Sequence, residues 1–357
     1  MGHTVAIAPH SWRSVLYRAV VPPYILRALE RHADETVRDA AASTLRIGRD
    51  LRVHPRTPPA VAERAAALHR LVYDCGGTKR VPGRLRRREG EQRSGDPDVD
   101  RAYDACGTTY AFFREVFGRN SLDGRGMHLI GSVHYGERFD NASWDGAQLR
   151  LGDGDGVVFR SFTHCLDVVA HELAHGVVQA EGGLEYAGES GALNESIADV
   201  FGSLVKQWSL RQTAAQADWI IGDGQFAPAI QGFGLRSLAA PGSAYDDPVL
   251  GKDPQLSHMD HFVEPIAQNA EVHVNSGIPN HAFYLFATHL GGHAWETAGR
   301  IWFDALCSGL HPACSFYAFS KATLRAARSH GTIAVKSLQY AWHAVGLSLP
   351  ARPLRAD

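Results

Sequence analysis

No apolar run in the chain approaches the roughly twenty consecutive residues that a membrane-crossing helix requires, so no helical membrane span is expected. No excess of one charge stands out either, because 36 basic residues face 38 acidic ones. Bulk electrostatics therefore points to no nucleic-acid partner. Cysteines are few. Cys75, Cys106, Cys165, Cys307 and Cys314 lack the paired spacing of a metal knuckle. Cys307 and Cys314 stand near enough in sequence for a local disulfide, with two separate thiols as the alternative. The opening residues, MGHTVAIAPHSWRSVLYRAV, do not show a charged region, an apolar core and a cleavage site in that order. The expectation is secretion by a route without a classical signal peptide, with cytoplasmic storage as the alternative.

What the chain does have is length for a sizeable core in more than one domain, and one stretch dense in chemistry. From Val168 to Asp199 the sequence reads VVAHELAHGVVQAEGGLEYAGESGALNESIAD. His171, Glu172 and His175 form H-E-x-x-H, and helical spacing puts the two histidines on one face. A surface helix that happens to carry two histidines is the bland alternative. The flanking valines argue against it, since a mostly apolar helix then carries three polar groups inward. Burying them unpaired is costly, and a metal satisfies them. Two histidines and Glu195 leave one coordination position for water, as in catalytic zinc sites. Zinc acidifies such a water and polarises a carbonyl. Glu172 stands free of the metal, to take the water's proton and pass it to a leaving amine. Asp199, one turn beyond Glu195, is placed to fix a ligand histidine by its outer N–H.

The rest of the chain supplies two lobes. Val21–Leu45 reads as an amphipathic helix or two short ones after a proline pair, residues 46–60 as a basic, proline-broken and cleavable segment, and Ala60–Val72 as a second helix. The arginine-rich run at 79–91 reads as a solvent-facing hairpin turning at Pro82-Gly83, rather than a nucleic-acid patch, since no aromatics interleave it. A helix is expected over 100–117. Residues 126–160 alternate as a twisted antiparallel sheet, with Asn141-Ala142-Ser143-Trp144 at an edge where an extended peptide can add its backbone. Beyond Asp199 the pattern is loop-rich over 213–270 and otherwise helical. The fold class is α+β, with the metal between lobes where clefts form.

Several blocks here resemble the thermolysin-like neutral metalloproteases, the gluzincins: AHELAHGV, ESGALNESIADVFGSLV, NASW, GLRSL and VHVNSGIPNHAFY, all in the family's order. The resemblance implies a two-lobed zinc endopeptidase with ligands His171, His175 and Glu195 and general base Glu172. It implies Tyr186 and His273 as donors to the oxyanion, Asn141 and Ala142 on substrate backbone, and Arg236 near a substrate carbonyl. Phe159, Phe162, Val168, Ile221 and Leu235 match the pocket for a bulky apolar residue just after the scissile bond. VVPPYILRAL resembles the short propeptide of the protealysin-like branch, so residues 1–58 are expected to be a latency segment seated in the cleft. Lobes 59–178 and 179–357 then follow in a monomer acting on proteins or peptides. A permanent helical cap is the alternative for residues 20–45, and a pseudoprotease serving as a binding module is the alternative for the whole chain.

Two departures from the family stand out. Gln268 replaces the aspartate that supports His273, so either Glu271 supplies the charge or the rate and optimum pH fall. At the family's double calcium site Asp167, Asp218 and Asp223 remain, but Lys206 and Ile220 replace carboxylates, and no calcium, or only weak calcium, is expected there.

Overall fold

The structure, a computed structural model, describes residues 18–53, 66–264 and 271–349. Its first elements are β1 (Arg18–Ala19), α1 (Pro23–Leu29) and α2 (Glu35–Val53). Pro23 sits in the first turn of α1, where its missing N–H costs nothing. The next lobe holds β2 (Arg70–Asp74), β3 (Arg84–Arg88), α3 (Pro97–Phe117), β4 (Leu129–Val133), β5 (Ala142–Trp144) and β6 (Leu149–Leu151). Two long helices follow, α4 (Leu166–Ala180) and α5 (Gly188–Ser209). The short pairs β7 (Ile220–Ile221) with β8 (Arg236–Ser237) and β9 (Asp246–Asp247) with β10 (Gly251–Lys252) punctuate the loops. Helices α6 (Glu271–Asn275), α7 (Gly277–Leu290), α8 (Thr297–Leu306), α9 (Phe316–Ala327) and α10 (Gly331–Ala344) complete the second lobe.

Six strands form the main sheet in the order β1-β5-β6-β4-β2-β3. Within residues 126–160 this corrects the antiparallel expectation for β4, whereas β5 and β6 do pair antiparallel. After β4 the chain passes outward to β5 and returns as β6, so β6 is the neighbour of β4 and runs parallel to it. β2 also runs parallel to β4. The helix expected over Ala60–Val72 ends in error too, because Arg70–Asp74 is strand β2. Its alternating β-formers are paired on both sides, and tertiary pairing overrides local helical spacing. Part of the segment expected to be proline-broken, up to Val53, continues α2, and residues 54–65 lie outside the described ones.

The arginine hairpin is not solvent-facing throughout. Arg87 is buried, with its guanidinium 3.7 Å from the Tyr103 ring centre and 2.9 Å from Asp100. A cation–π contact and an ion pair together offset its desolvation. All five cysteines are unpaired thiols. No helix among the described residues is long and apolar enough to cross a membrane.

Helices α4 and α5 are buried on nearly every side, as their apolar composition requires. Gly202 lets them approach closely, since a Cβ there would stand 2.7 Å from the Asp167 carbonyl. At the other end of the sheet, β1 covers the edge of β5, pairing Arg18 with Trp144 and Ala19 with Ser143.

One clip on the sheet lobe makes stability depend on pH. His134 Nδ1 meets Asp153 at 2.7 Å and its Nε2 meets Asp96, the cap of α3, at 3.1 Å. The hydrogen bond to Asp153 leads in raising its pKa from 6.5 to about 9. A folded value above the unfolded one means the clip contributes fully below about pH 6.5 and is lost as pH rises through 9. Denaturant titrations should show wild type losing stability relative to His134→Gln between those limits. Parallel pH curves for the two proteins would remove the clip from the account.

Candidate active site

α4 presents His171 and His175 one turn apart, with ring centres 4.7 Å apart. α5 brings Glu195 against them. Its Oε2 lies 3.5 Å from His171 Nε2 and its Oε1 lies 3.6 Å from His175 Nε2. All three residues are fully buried, and their ligand atoms lie within 4.8 Å of one another. The far nitrogens are tied down. His171 Nδ1 meets Asp199 Oδ1 at 2.9 Å, and His175 Nδ1 meets Asn194 Oδ1 at 2.8 Å. With the His175 Nδ1 hydrogen-bonded to Asn194 and the His171 Nδ1 paired with the Asp199 carboxylate, the two Nε2 atoms are left free for a metal.

Those two Nε2 atoms and Glu195 Oε2 make no hydrogen bond. Buried, convergent and unpartnered acceptors of this N,N,O type fit a zinc ion. Burial lowers the His175 pKa to about 3, so the ring is neutral, as a ligand must be. Burial pushes the Glu195 carboxyl up, but His273 and then the two ligand histidines outweigh it and hold the group well below the usual range.

Asp199 is the hub behind the ligands. Arg236 Nε and Nη2 reach its carboxylate at 2.8 Å each, and Asn280 Nδ2 donates to it at 2.9 Å. Burial opposes the charge, yet Arg236 and His171 bring its pKa down to about 2.

Glu172 lies beside the ligands with no full hydrogen bond to either oxygen. Burial, then the Glu195 charge, raises its carboxyl well above the usual range, while the N–H groups of Trp144 and Val20 oppose that rise. Tyr186 donates its hydroxyl hydrogen to Glu195 and lies 3.3 Å from His273 Nε2. His273 Nδ1 is 3.2 Å from Glu195 Oε2. Phe159, Phe162, Val168, Ile221 and Leu235 are all buried in the main apolar core of the chain, as are Val20 and Val21.

The cleft is filled by the chain's own N-terminal segment. Val20 N donates to Ala142 O at 3.2 Å, and Asn141 binds Val21 twice, accepting from its N at 2.9 Å and donating to its O at 3.0 Å. Arg236 Nη1 donates to Val20 O at 2.7 Å.

Family models match this chain as the thermolysin metallopeptidase catalytic domain over residues 85–179 and the thermolysin metallopeptidase alpha-helical domain over residues 182–347. An extracellular metalloprotease from Pectobacterium carotovorum subsp. carotovorum is 48% identical over 335 residues, covering 93% of this chain and 96% of that one. The chain belongs to the thermolysin-like metallopeptidase family. Protease PrtS from Photorhabdus sp. (strain Az29) is 47% identical over 322 residues, covering 87% of each chain. The solved precursor of protealysin, a metalloproteinase from Serratia proteamaculans, aligns with a TM-score of 0.86 at 47% identity, covering 93% of this chain and 100% of that one. As a thermolysin-like metallopeptidase the chain is a zinc metalloendopeptidase with a propeptide.

Of the site residues expected from sequence, Glu172, Tyr186, Asp199 and His273 stand with the three ligands, Asn141, Ala142 and Arg236 bind the segment in the cleft, the five apolar residues are buried in the core, and Gln268 lies outside the described residues. Glu271, expected as one of two alternatives to supply charge to His273, is buried with Oε1 accepting from Gly188 N at 3.4 Å, at the start of α5. Sequence reading missed Asn194, although it directly precedes Glu195, and Asn280, which lies within the VHVNSGIPNHAFY block. It also missed Arg18, whose buried guanidinium donates to the His175 carbonyl at 3.3 Å. Nothing in the local pattern marks that arginine as buried. A second cluster, Asp96, Asp98 and His134, also brings ligand atoms together. Its atoms are already engaged, because Asp98 accepts from Arg101, Ser161 and Thr163 and His134 bridges two aspartates.

Asp199→Asn should keep the hub's shape but remove its charge from His171 and Arg236. Zinc should dissociate roughly 10–100-fold more readily, read by competition with a chelating dye. Unchanged zinc affinity would show that Asp199 serves packing alone.

Proposed function

We propose that this chain is a latent zinc endopeptidase that cuts on the N-terminal side of bulky apolar residues, with its roles distributed as follows. Zinc, held by His171, His175 and Glu195, supplies Lewis acidity toward the substrate carbonyl when bound. Glu172 accepts the proton of the attacking water and hands it to the leaving nitrogen. Tyr186 and His273 donate to the oxygen on which charge develops. Asn141, Ala142 and Arg236 hold the substrate backbone, and Phe159, Phe162, Val168, Ile221 and Leu235 receive the side chain after the cut bond. The observation that carries this reading is the cleft's own occupant. An extended segment already uses Ala142 O, both ends of the Asn141 amide and Arg236, as a peptide substrate would.

The same contacts support latency, with residues 1–58 as propeptide and lobes 59–178 and 179–357 as the enzyme. The extracellular relatives favour a secreted enzyme. Once freed of residues 1–58, the enzyme should hydrolyse peptides carrying Leu or Phe after the scissile bond. Alanine there should cost about 10–100-fold in kcat/KM, from roughly 1.5–3 kcal/mol of lost burial. Glu172→Gln should lower kcat by roughly 10²–10⁴ with zinc content intact. Equal turnover by the variant would take the proton-transfer role from Glu172, and no turnover by wild type would favour the pseudoprotease.

A fixed cation in place of calcium completes the proposal. Lys206 Nζ lies 2.8 Å from Asp218, 3.3 Å from Asp167 and 3.2 Å from the Ile220 carbonyl. Burial opposes its charge, but Asp167 and Asp218 raise its pKa overall. Lys206→Ala should destabilise by roughly 1–3 kcal/mol, less than a fully buried pair because Asp218 meets solvent. Calcium and a calcium-selective chelator should both leave the wild-type Tm unchanged. A calcium-dependent rise in Tm would overturn the substitution.

A further inference from the structure

The register of residues 18–21 in the cleft singles out one peptide bond. Val20 N donates to Ala142 O, so Val20 turns its N–H toward the β5 edge. Along an antiparallel pair the polar groups of successive residues alternate in direction. Ala19, opposite Ser143, therefore turns its carbonyl away from β5, and the side chain of its neighbour Arg18 stands among Tyr186, Glu195 and Glu172. On the other side of the Ala19–Val20 bond, Arg236 holds the Val20 carbonyl at 2.7 Å and Asn141 holds both polar groups of Val21. Val20 is apolar, β-branched and fully buried. The Val20 N–H is also among the groups close to the Glu172 carboxyl. The nitrogen that lies near Glu172 is thus the nitrogen of the Ala19–Val20 bond.

We infer that the Ala19–Val20 bond is a substrate of the chain's own active site, cut in cis before the propeptide leaves. This rests on the endopeptidase roles proposed above. Water adds to the Ala19 carbonyl carbon, its proton passes through Glu172 to the Val20 nitrogen, and the C–N bond breaks. An Ala19 carboxylate and a Val20 ammonium result, with one water consumed and no other reactant. Residues from Val20 onward stay joined to the enzyme, held by Asn141, Arg236 and the buried faces of α1 and α2. The cut therefore trims the chain and leaves the cleft beyond the cut bond filled, so latency outlasts it.

The test uses the zinc-loaded full-length precursor at two tenfold-different concentrations, followed by intact-mass spectrometry and N-terminal sequencing. Processed enzyme is assayed in parallel on a peptide carrying Leu after the scissile bond. The expected result is loss of residues 1–19, a new N-terminus at Val20, equal rates at both concentrations, and no cut in Glu172→Gln. Val20→Asp should slow the cut at least tenfold, whereas Val20→Leu, which keeps the packing, should retain it. Hydrolysis of the peptide by the processed enzyme, while the precursor keeps residues 1–19 or is cut only elsewhere, overturns self-cleavage and spares the endopeptidase reading. A cut whose rate scales with concentration overturns the cis step. Failure on both precursor and peptide overturns both readings.

Discussion

Charge burial at the crossing of α4 and α5 is the constraint on which the rest depends, and Asp199 carries it. Its carboxylate is fully buried, yet His171, Arg236 and Asn280 hold it in the charged form. A buried ion pair of this kind contributes little net stability, because desolvation consumes most of the attraction. What it fixes is geometry. The same carboxylate orients a ligand histidine and holds Arg236 rigid, and Arg236 in turn grips the segment in the cleft. Metal support from α5, the short strand β8 and the N-terminal segment thus meet at one group. Removing either Asp199 or Arg236 leaves an unpaired buried charge, which is the costlier state.

Helical spacing made much of this centre legible in the sequence. H-E-x-x-H needs only one turn of α4 to place its histidines, and Glu195 and Asp199 are one turn apart on α5. The resemblance in VVPPYILRAL pointed to the segment that fills the cleft. Sheet pairing was less legible. Residues 126–160 alternate in the same way whether their neighbours run parallel or antiparallel, and only the outward passage through β5 decides it. Arg87 was hidden for a related reason. An arginine among arginines reads as solvated, and the Tyr103 ring that buries it lies on α3, outside any local pattern. Asp167 and Lys206 show the opposite case. Their pairing across two helices was anticipated from a charge reversal at positions where carboxylates were expected.

A segment seated in a substrate's register raises the question of how it inhibits. The answer lies in what holds it after any cut. Docked by helices α1 and α2, it presents its strand at an effective concentration far above that of a free peptide. Its backbone fills the same hydrogen bonds that a substrate needs, so the two exclude each other by geometry. Arg18 adds a second barrier. Its guanidinium is buried among Tyr186, Glu195 and Glu172, where burial lowers its pKa against their attraction. The segment therefore occupies both the backbone sites and the space among these three polar groups, and its backbone contacts with Asn141 and Arg236 remain once Arg18 is removed.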